Sequence, residues 1–215
     1  MYDFTFCAID LNITSNNIQS MLEEVLLINE SHWYHDKLRG CQILPLYNGG
    51  GTTGAPAPGV LRSSGNMEWT SAGLECPYLC ELIKNKVFPF MNPIGRMSVL
   101  KTQSNKGLNL HIDSKTSSIG TRQHKFRIVL NGDISKLYFM DHNMNKVYIP
   151  EYYSTYVIDG THLHSIDPSP HEKITICIGT PWHGEENLNY EKLIQYSPYK
   201  MKVSRPEIKD EWECK

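Results

Sequence analysis

Neither sign of charge is in excess in this sequence. Lys and Arg total 21 against 23 Asp and Glu, a formal net charge of −2 over 215 residues. A chain without a basic surplus has no electrostatic reason to lie on nucleic acid or anionic lipid, so no nucleic-acid partner is expected. Long apolar runs are missing as well. The longest aliphatic run, Val25 to Ile28, is far short of the ~20 residues a membrane-spanning helix needs, so no membrane span is predicted. Met1 to Thr14 lacks a basic start followed by a sustained apolar stretch and does not read as a signal peptide. Cysteine is sparse and irregular, at positions 7, 41, 76, 80, 177 and 214. That pattern builds no disulfide framework, and the six are read as reduced thiols of a cytoplasmic protein. Cys76 and Cys80 stand one helical turn apart, but no second Cys or His pair lies at zinc spacing beside them. The Gly- and Pro-rich stretch Asn48 to Gly59 lacks the Gly-Lys-Ser/Thr ending of a phosphate-binding loop, and no His-Glu-x-x-His helix is present. The first stretch is read as a surface loop or a lid, and the second absence argues against a hydrolytic zinc enzyme.

What the sequence does contain is organised in one domain, 1–215, with a helical and loop-rich flank over about 1–95, a β core over about 96–181 and a charged tail over about 200–215. The periodicity of Ile18, Met21, Leu22, Val25 and Leu26 predicts a helix from Ser15 to Asn29, capped by Thr14 or Ser15. Pro77 to Val87 predicts a second helix, with proline in its first turn and Leu79, Leu82 and Ile83 on its buried face. After Gly95 the texture changes to short alternating segments: Met97–Gln103, Leu108–Asp113, Phe126–Asn131, Lys136–Met140, Lys146–Ile149, Tyr153–Asp159 and Lys173–Gly179. Turn residues separate them, and such a run of strands means a sandwich, barrel or jelly roll.

Three of these strands carry chemistry. In Leu108–Asp113 strict alternation sets Asn109, His111 and Asp113 opposite Leu108, Leu110 and Ile112. A His and an Asp aimed into an interior need a compensating charge, and a divalent metal supplies it. Two His and one carboxylate on one face of an octahedral metal leave three positions open, as in non-haem iron oxygenases. The distant third ligand comes from the segment Tyr156–Ile166, which offers His162 and His164. Their spacing of two would put both on one face, so periodicity cannot choose. His164 is favoured because it adjoins the apolar return at Ser165-Ile166, leaving His162 nearer the turn as a substrate contact or a support for a ligand. In Lys173–Gly179 three isoleucines occupy one face and Lys173, Thr175 and Cys177 the other, and Arg127 is likewise opposed to Phe126, Ile128 and Leu130. Cations aimed inward suit a dicarboxylate. The alternative is a one-sided sheet with both cations in solvent.

His111-x-Asp113, a gap of about fifty residues, His164, and Lys173 with Thr175 two positions on resemble the iron(II)- and 2-oxoglutarate-dependent dioxygenase superfamily, and in particular its aspartyl/asparaginyl β-hydroxylase-like branch. The resemblance spans about Arg96 to Pro181. It implies a double-stranded β-helix, with Fe(II) held by His111, Asp113 and His164. Lys173 and Thr175 would hold the distal carboxylate of 2-oxoglutarate, and Arg127 would assist near the metal. It also implies O2-dependent hydroxylation of a protein side chain, peptide or small molecule, with release of succinate and CO2. Lys173 stands where the family usually has arginine, which gives up the bidentate fork. Asn109, Tyr138, Tyr148 and His162 are further candidate contacts to cosubstrate or substrate, and Cys177 is read as an inert buried thiol. The polar segment Ser114–Lys125 reads as a loop particular to this chain. His124, His142 and His171 read as solvated, His183 as a surface residue, and His32 and His35 as packing. Two rival readings remain: a cupin-like metal enzyme that does not use 2-oxoglutarate, and a non-catalytic jelly-roll binding module.

Overall fold

The computed structural model describes residues 3–36, 40–49, 67–91, 94–113, 124–179, 188–207 and 209. In chain order the elements are β1 (Phe6–Ala8), α1 (Ser15–Leu27), β2 (Tyr34–Asp36), β3 (Cys41–Gly49), β4 (Met67–Trp69), α2 (Ser71–Leu74), α3 (Pro77–Lys86), β5 (Met97–Thr102), β6 (His124–Asn131), β7 (Leu137–Met140), β8 (Lys146–Tyr148), β9 (Thr155–Asp159), β10 (His164–Ile166), β11 (Lys173–Ile178), α4 (Tyr190–Gln195) and β12 (Lys200–Met201). A large sheet runs β12-β1-β9-β6-β11-β5-β3-β2, with β4 also on β3, and a small sheet runs β10-β7-β8. All pairings are antiparallel. Among the described residues, no helix is long and apolar enough to cross a membrane.

The alternation read from the sequence decides what each face of the large sheet touches. Phe126, Ile128 and Leu130 of β6, Ile174, Ile176 and Ile178 of β11, and Met97 and Val99 of β5 join one core with Met21 and Val25 of α1 and Leu79, Leu82 and Ile83 of α3. Each such buried side chain contributes about 1.5–3 kcal/mol, so this face is firmly held against the helices. Both helices form where their periodicity predicts. Thr14 caps α1 in a reciprocal box, its hydroxyl accepting from the Asn17 amide and the Asn17 side chain accepting from the Thr14 amide. Pro77 opens α3. The opposite face of the large sheet looks toward the small one. Between them lie Phe6, Ala8, Val129, Leu137, Phe139, Tyr156 and Ile158, and a cavity that Leu137, Tyr156 and Ile158 also line, together with several polar and charged side chains.

The predicted flank also supplies strands that the sequence reading did not find. β1 pairs with β9, and β3 pairs with β5, so residues before position 50 extend the large sheet on both sides. The predicted 48–59 loop falls almost wholly outside the described residues, as do most of Ser114–Lys125, His183 and the end of the tail. The two residues of Ser114–Lys125 that are described, His124 and Lys125, already belong to β6. His124 is not solvated as expected: it is fully buried, with Nδ1 2.8 Å from the Tyr190 hydroxyl and its ring 4.7 Å from that of Phe4.

Leu108–Asp113 departs from the regular strand that its alternation predicts. The Leu108 amide donates to the Ile166 carbonyl, while His111 and His164 exchange both backbone hydrogen bonds. Three residues on one side therefore span two on the other, which is a bulge. Gly107 permits the close approach that starts this pairing, since a Cβ there would lie 2.4 Å from the Ile166 carbonyl oxygen. The bulge breaks the period of two. Leu108 and His111 both line the cavity, whereas Asn109 is exposed.

Candidate active site

His111 and Asp113 come from the bulged segment and His164 from β10, and the segment's end is tied down by a bond from the Asp113 amide to the Gly160 carbonyl at 2.7 Å. One donor atom from each of the three lies within 4.8 Å of the others, and all three side chains are buried. The two imidazoles are oriented alike. His111 Nδ1 sits 2.6 Å from the Asn109 carbonyl and His164 Nδ1 2.7 Å from the His162 carbonyl. A carbonyl only accepts, so each Nδ1 donates to its carbonyl and each Nε2 is the ring nitrogen that faces the cluster. Burial, with His111 adjacent, pushes the His164 imidazole down to about 3, so it stays neutral at any ordinary pH.

Asp113 is the one carboxylate lining the cavity among the described residues. Its Oδ2 lies 3.1 Å from Arg127 Nη2 and 3.2 Å from Lys125 Nζ, and its Oδ1 3.6 Å from His111 Nε2. Burial works to raise this carboxyl. Lys125 first, then His111, His164 and Arg127, overcome it and hold the group well below the usual carboxylate range. It is therefore an anion, two of whose contacts are to fixed cations.

A second polar group faces the same cavity from β11. The register aligns Lys173 with Thr102, and Cys177 with both Ser98 and Arg127. Lys173 is 5% exposed, and burial brings its ammonium down to about 8. No ion pair joins it to a carboxylate among the described residues. Thr175 Oγ1 is buried without a hydrogen-bond partner there. A buried ammonium and an orphaned hydroxyl on one strand face leave unmet hydrogen-bonding capacity that an anion would satisfy. Gly132 permits the turn that leads out of β6 past Lys173. Its φ is +93°, and a Cβ would sit 2.9 Å from Lys173 Cα.

The structure thus brings together His111, Asp113, His164, Arg127, Lys173 and Thr175 around one cavity. Four candidates fall elsewhere. Asn109 does not share the His111 face, because of the bulge, and contributes its backbone carbonyl to His111. Tyr138 lies on the far face of the small sheet, its ring packed on Tyr148 beneath the Lys146 ammonium, so neither tyrosine reaches the cavity. His162 precedes β10, and the turn before it ends the period of two that would have aligned it with His164. Its Nε2 lies 2.9 Å from the Met140 carbonyl, away from the cluster. His162→Ala is expected to cost about 2 kcal/mol of stability in denaturant titration, by orphaning that carbonyl and opening a void, while metal affinity changes by less than a few-fold.

Lys125 escaped the sequence reading because the preceding segment was read as loop up to that residue. Extending the alternation of β6 by two positions would have placed it beside Arg127. Tyr156 was missed too. It sits across from Arg127 in the β6–β9 register and lines the cavity; the period of β9 alone carries that signal.

No family model matches this chain, and neither does any curated protein sequence. Solved structures do. A prolyl hydroxylase from Trichoplax adhaerens, in complex with a hypoxia inducible factor peptide fragment, aligns with a TM-score of 0.54 at 14% identity, over 81% of this chain and 82% of that one. A prolyl-4-hydroxylase from Pseudomonas putida aligns at 0.52 and 12% identity, over 84% and 94%. HygX from Streptomyces hygroscopicus, with nickel, 2-oxoglutarate and hygromycin B bound, aligns at 0.54 and 10% identity, over 97% and 95%. The fold is the double-stranded β-helix. It is shared with these neighbours at full-domain scale, as the sequence predicts. None of the three is an aspartyl/asparaginyl hydroxylase, so that branch of the resemblance gains no support.

Proposed function

We propose that this protein is an iron(II)- and 2-oxoglutarate-dependent oxygenase that hydroxylates a small molecule or a peptide or protein side chain. The observation that carries the proposal is the pairing of two sets of groups in one cavity. Two imidazoles and a carboxylate converge within 4.8 Å, next to a buried ammonium and hydroxyl that meet no anion among the described residues. The first set suits a divalent first-row metal with open positions. The second suits a carboxylate of a bidentate ligand on that metal. A cupin-like enzyme without 2-oxoglutarate, or a binding module, has no use for the second set. Two of the neighbours are prolyl hydroxylases, one of them in complex with a peptide, and another holds hygromycin B. The same fold therefore accommodates either kind of substrate.

In this reading His111, Asp113 and His164 hold Fe(II), which with O2 and 2-oxoglutarate supplies the oxidising chemistry. The chain's own part is to bind, orient and exclude water. The Asn109 and His162 carbonyls fix the tautomers and ring planes of the two ligand imidazoles. Lys125 and Arg127 keep Asp113 ionised. Lys173 and Thr175 fix the cosubstrate at its far carboxylate, so that its oxo-acid end reaches the metal in one orientation. Phe139, with its ring centroid 6.0 Å from that of His164, and Leu137 wall the site from the small sheet.

Anaerobic titration of 2-oxoglutarate into the iron(II) protein tests this without a substrate in hand. The weak visible charge-transfer band of a chelated 2-oxo acid should appear and saturate at one equivalent. Iron binding with no band would leave the cupin-like reading, and no iron binding the binding module.

A further inference from the structure

The turn between β9 and β10 supports the candidate metal cluster twice from its main chain. The Gly160 carbonyl accepts from the Asp113 amide at 2.7 Å, and the His162 carbonyl accepts from His164 Nδ1 at 2.7 Å. Whatever fixes the peptide units of this turn therefore fixes the backbone of one ligand and the ring plane of another. One side-chain network does so. The Gly160 carbonyl shares its peptide unit with the Thr161 amide, which donates to Asp159 Oδ1 at 3.0 Å. In the next unit the His162 amide donates to the Asp159 carbonyl at 3.1 Å, and the Thr161 carbonyl accepts from Arg205 Nη1 at 3.4 Å. The Thr161 hydroxyl joins the two side chains: it donates to Asp159 Oδ1 at 2.6 Å and accepts from Arg205 Nη1 at 2.9 Å. Arg205 Nη2 donates to Asp159 Oδ2.

The Asp159 side chain is 4% exposed, and a carboxylate so buried needs a cation. Arg205 supplies it from a strap that follows α4. Its fork reaches Asp159 and Thr161 through separate nitrogens, which the single ammonium of a lysine does not reproduce. The backbone of the strap is held on both sides of Arg205. Before it, β12 pairs with β1, the Val203 amide donates to Thr5 Oγ1 at 3.0 Å, and Ser204 Oγ lies 2.7 Å from His142 Nδ1. After it, Pro206 is buried. The Thr5 carbonyl also accepts from the Asp159 amide at 2.9 Å, so strap and turn share an anchor.

We propose that Arg205 is a positioning residue for the metal centre. Through Asp159 and Thr161 it locks the turn whose carbonyls hold the Asp113 main chain and the His164 ring, so the C-terminal strap completes a site to which it gives no ligand. This rests on the metal centre of the proposed function. A merely structural Arg205 would only neutralise Asp159, and the charge of a lysine would serve as well. A positioning Arg205 needs both arms of the fork.

The test compares Arg205→Ala and Arg205→Lys with the unaltered full chain by chemical denaturation, by calorimetric titration of cobalt(II), and by 1H–15N NMR of the histidine ring protons in the metal-free proteins. His111 is the internal control, since its Nδ1 is served by the Asn109 carbonyl in a different segment. Arg205→Ala is expected to weaken cobalt(II) binding at least about tenfold and to lose the His164 Nδ1 proton signal while that of His111 persists. Arg205→Lys should unfold at the same denaturant concentration as the unaltered protein and still bind cobalt(II) at least about threefold more weakly. If Arg205→Ala does not fold, Arg205→Lys decides alone. Cobalt(II) affinity in Arg205→Lys equal to that of the unaltered protein overturns the proposal. So does a folded Arg205→Ala that keeps its affinity and its His164 signal, and so does loss of the His111 and His164 signals together, which would mean a general loosening. In these cases the metal centre stands and the positioning role alone falls. If the unaltered protein binds no cobalt(II), the metal centre fails first and the positioning role falls with it.

Discussion

Asp113→Ala and His164→Ala should each abolish the 2-oxoglutarate band and weaken iron(II) binding by at least about a hundredfold, because each removes one of three ligands and a three-ligand site has no spare donor. The two variants should differ in stability. Asp113 is also the carboxylate that Lys125 and Arg127 contact at 3.2 and 3.1 Å. Deleting it breaks a buried charge cluster, at a cost of roughly 3–5 kcal/mol. His164→Ala removes a neutral ring and leaves that cluster whole, so its cost is that of the void and of the His162 carbonyl that loses its donor, closer to about 2–3 kcal/mol. Chemical denaturation of the metal-free proteins, read beside iron titrations, separates the two effects. His164→Ala folding normally without iron is the informative case. If it still bound iron and gave the band, the cluster around His111 and Asp113 would not be the metal centre.

The strands that build the cavity were legible because one face of each is buried against helices while the other carries a few polar groups. That arrangement writes a period of two into β6 and β11, and more loosely into β5. β3 could not be read this way. Its burial pattern is nearly continuous from Cys41 to Gly49, with Pro45 inside it and a register shift between Pro45 and Tyr47. A strand covered on both faces shows no alternation, and proline argues against strand. β1 is three residues long, too short for any period to register. The site shows the same division. The His111-x-Asp113 spacing survives because two consecutive inward positions lie after the bulge. The expectation for Asn109 fails because the extra residue lies before His111. Whether His162 or His164 joins the cluster depends on a turn that no period records, and the answer lies in a hydrogen bond to Met140, a residue 22 positions away.

Lys173→Ala should raise the dissociation constant of 2-oxoglutarate by about 30- to 1,000-fold, equivalent to roughly 2–4 kcal/mol for truncating one partner of a buried charge pair, with iron affinity unchanged. Its pH dependence gives a sharper test. Burial lowers this ammonium from its ordinary 10.5 to about 8. A base whose folded value is depressed destabilises the free protein while it is charged. That cost, about 3 kcal/mol, is fully present below pH 8 and is relieved as pH rises toward 10.5. Binding an anion requires the charged form, so the two trends oppose each other. 2-Oxoglutarate affinity should be flat below pH 8 and fall about tenfold per unit above it, over the range in which the unliganded protein gains stability from this group. Lys173→Arg keeps its charge throughout and adds a bidentate fork, so its affinity should stay flat to pH 9.5. Calorimetry of 2-oxoglutarate binding at pH 7, 8, 9 and 9.5 on both proteins decides the matter. If Lys173→Arg lost affinity in parallel with the unaltered protein, the pH dependence would belong to another group; if the unaltered protein showed no loss above pH 8, its ammonium would not be depressed, and an unchanged affinity in Lys173→Ala would then show that Lys173 is not the residue that meets the distal carboxylate.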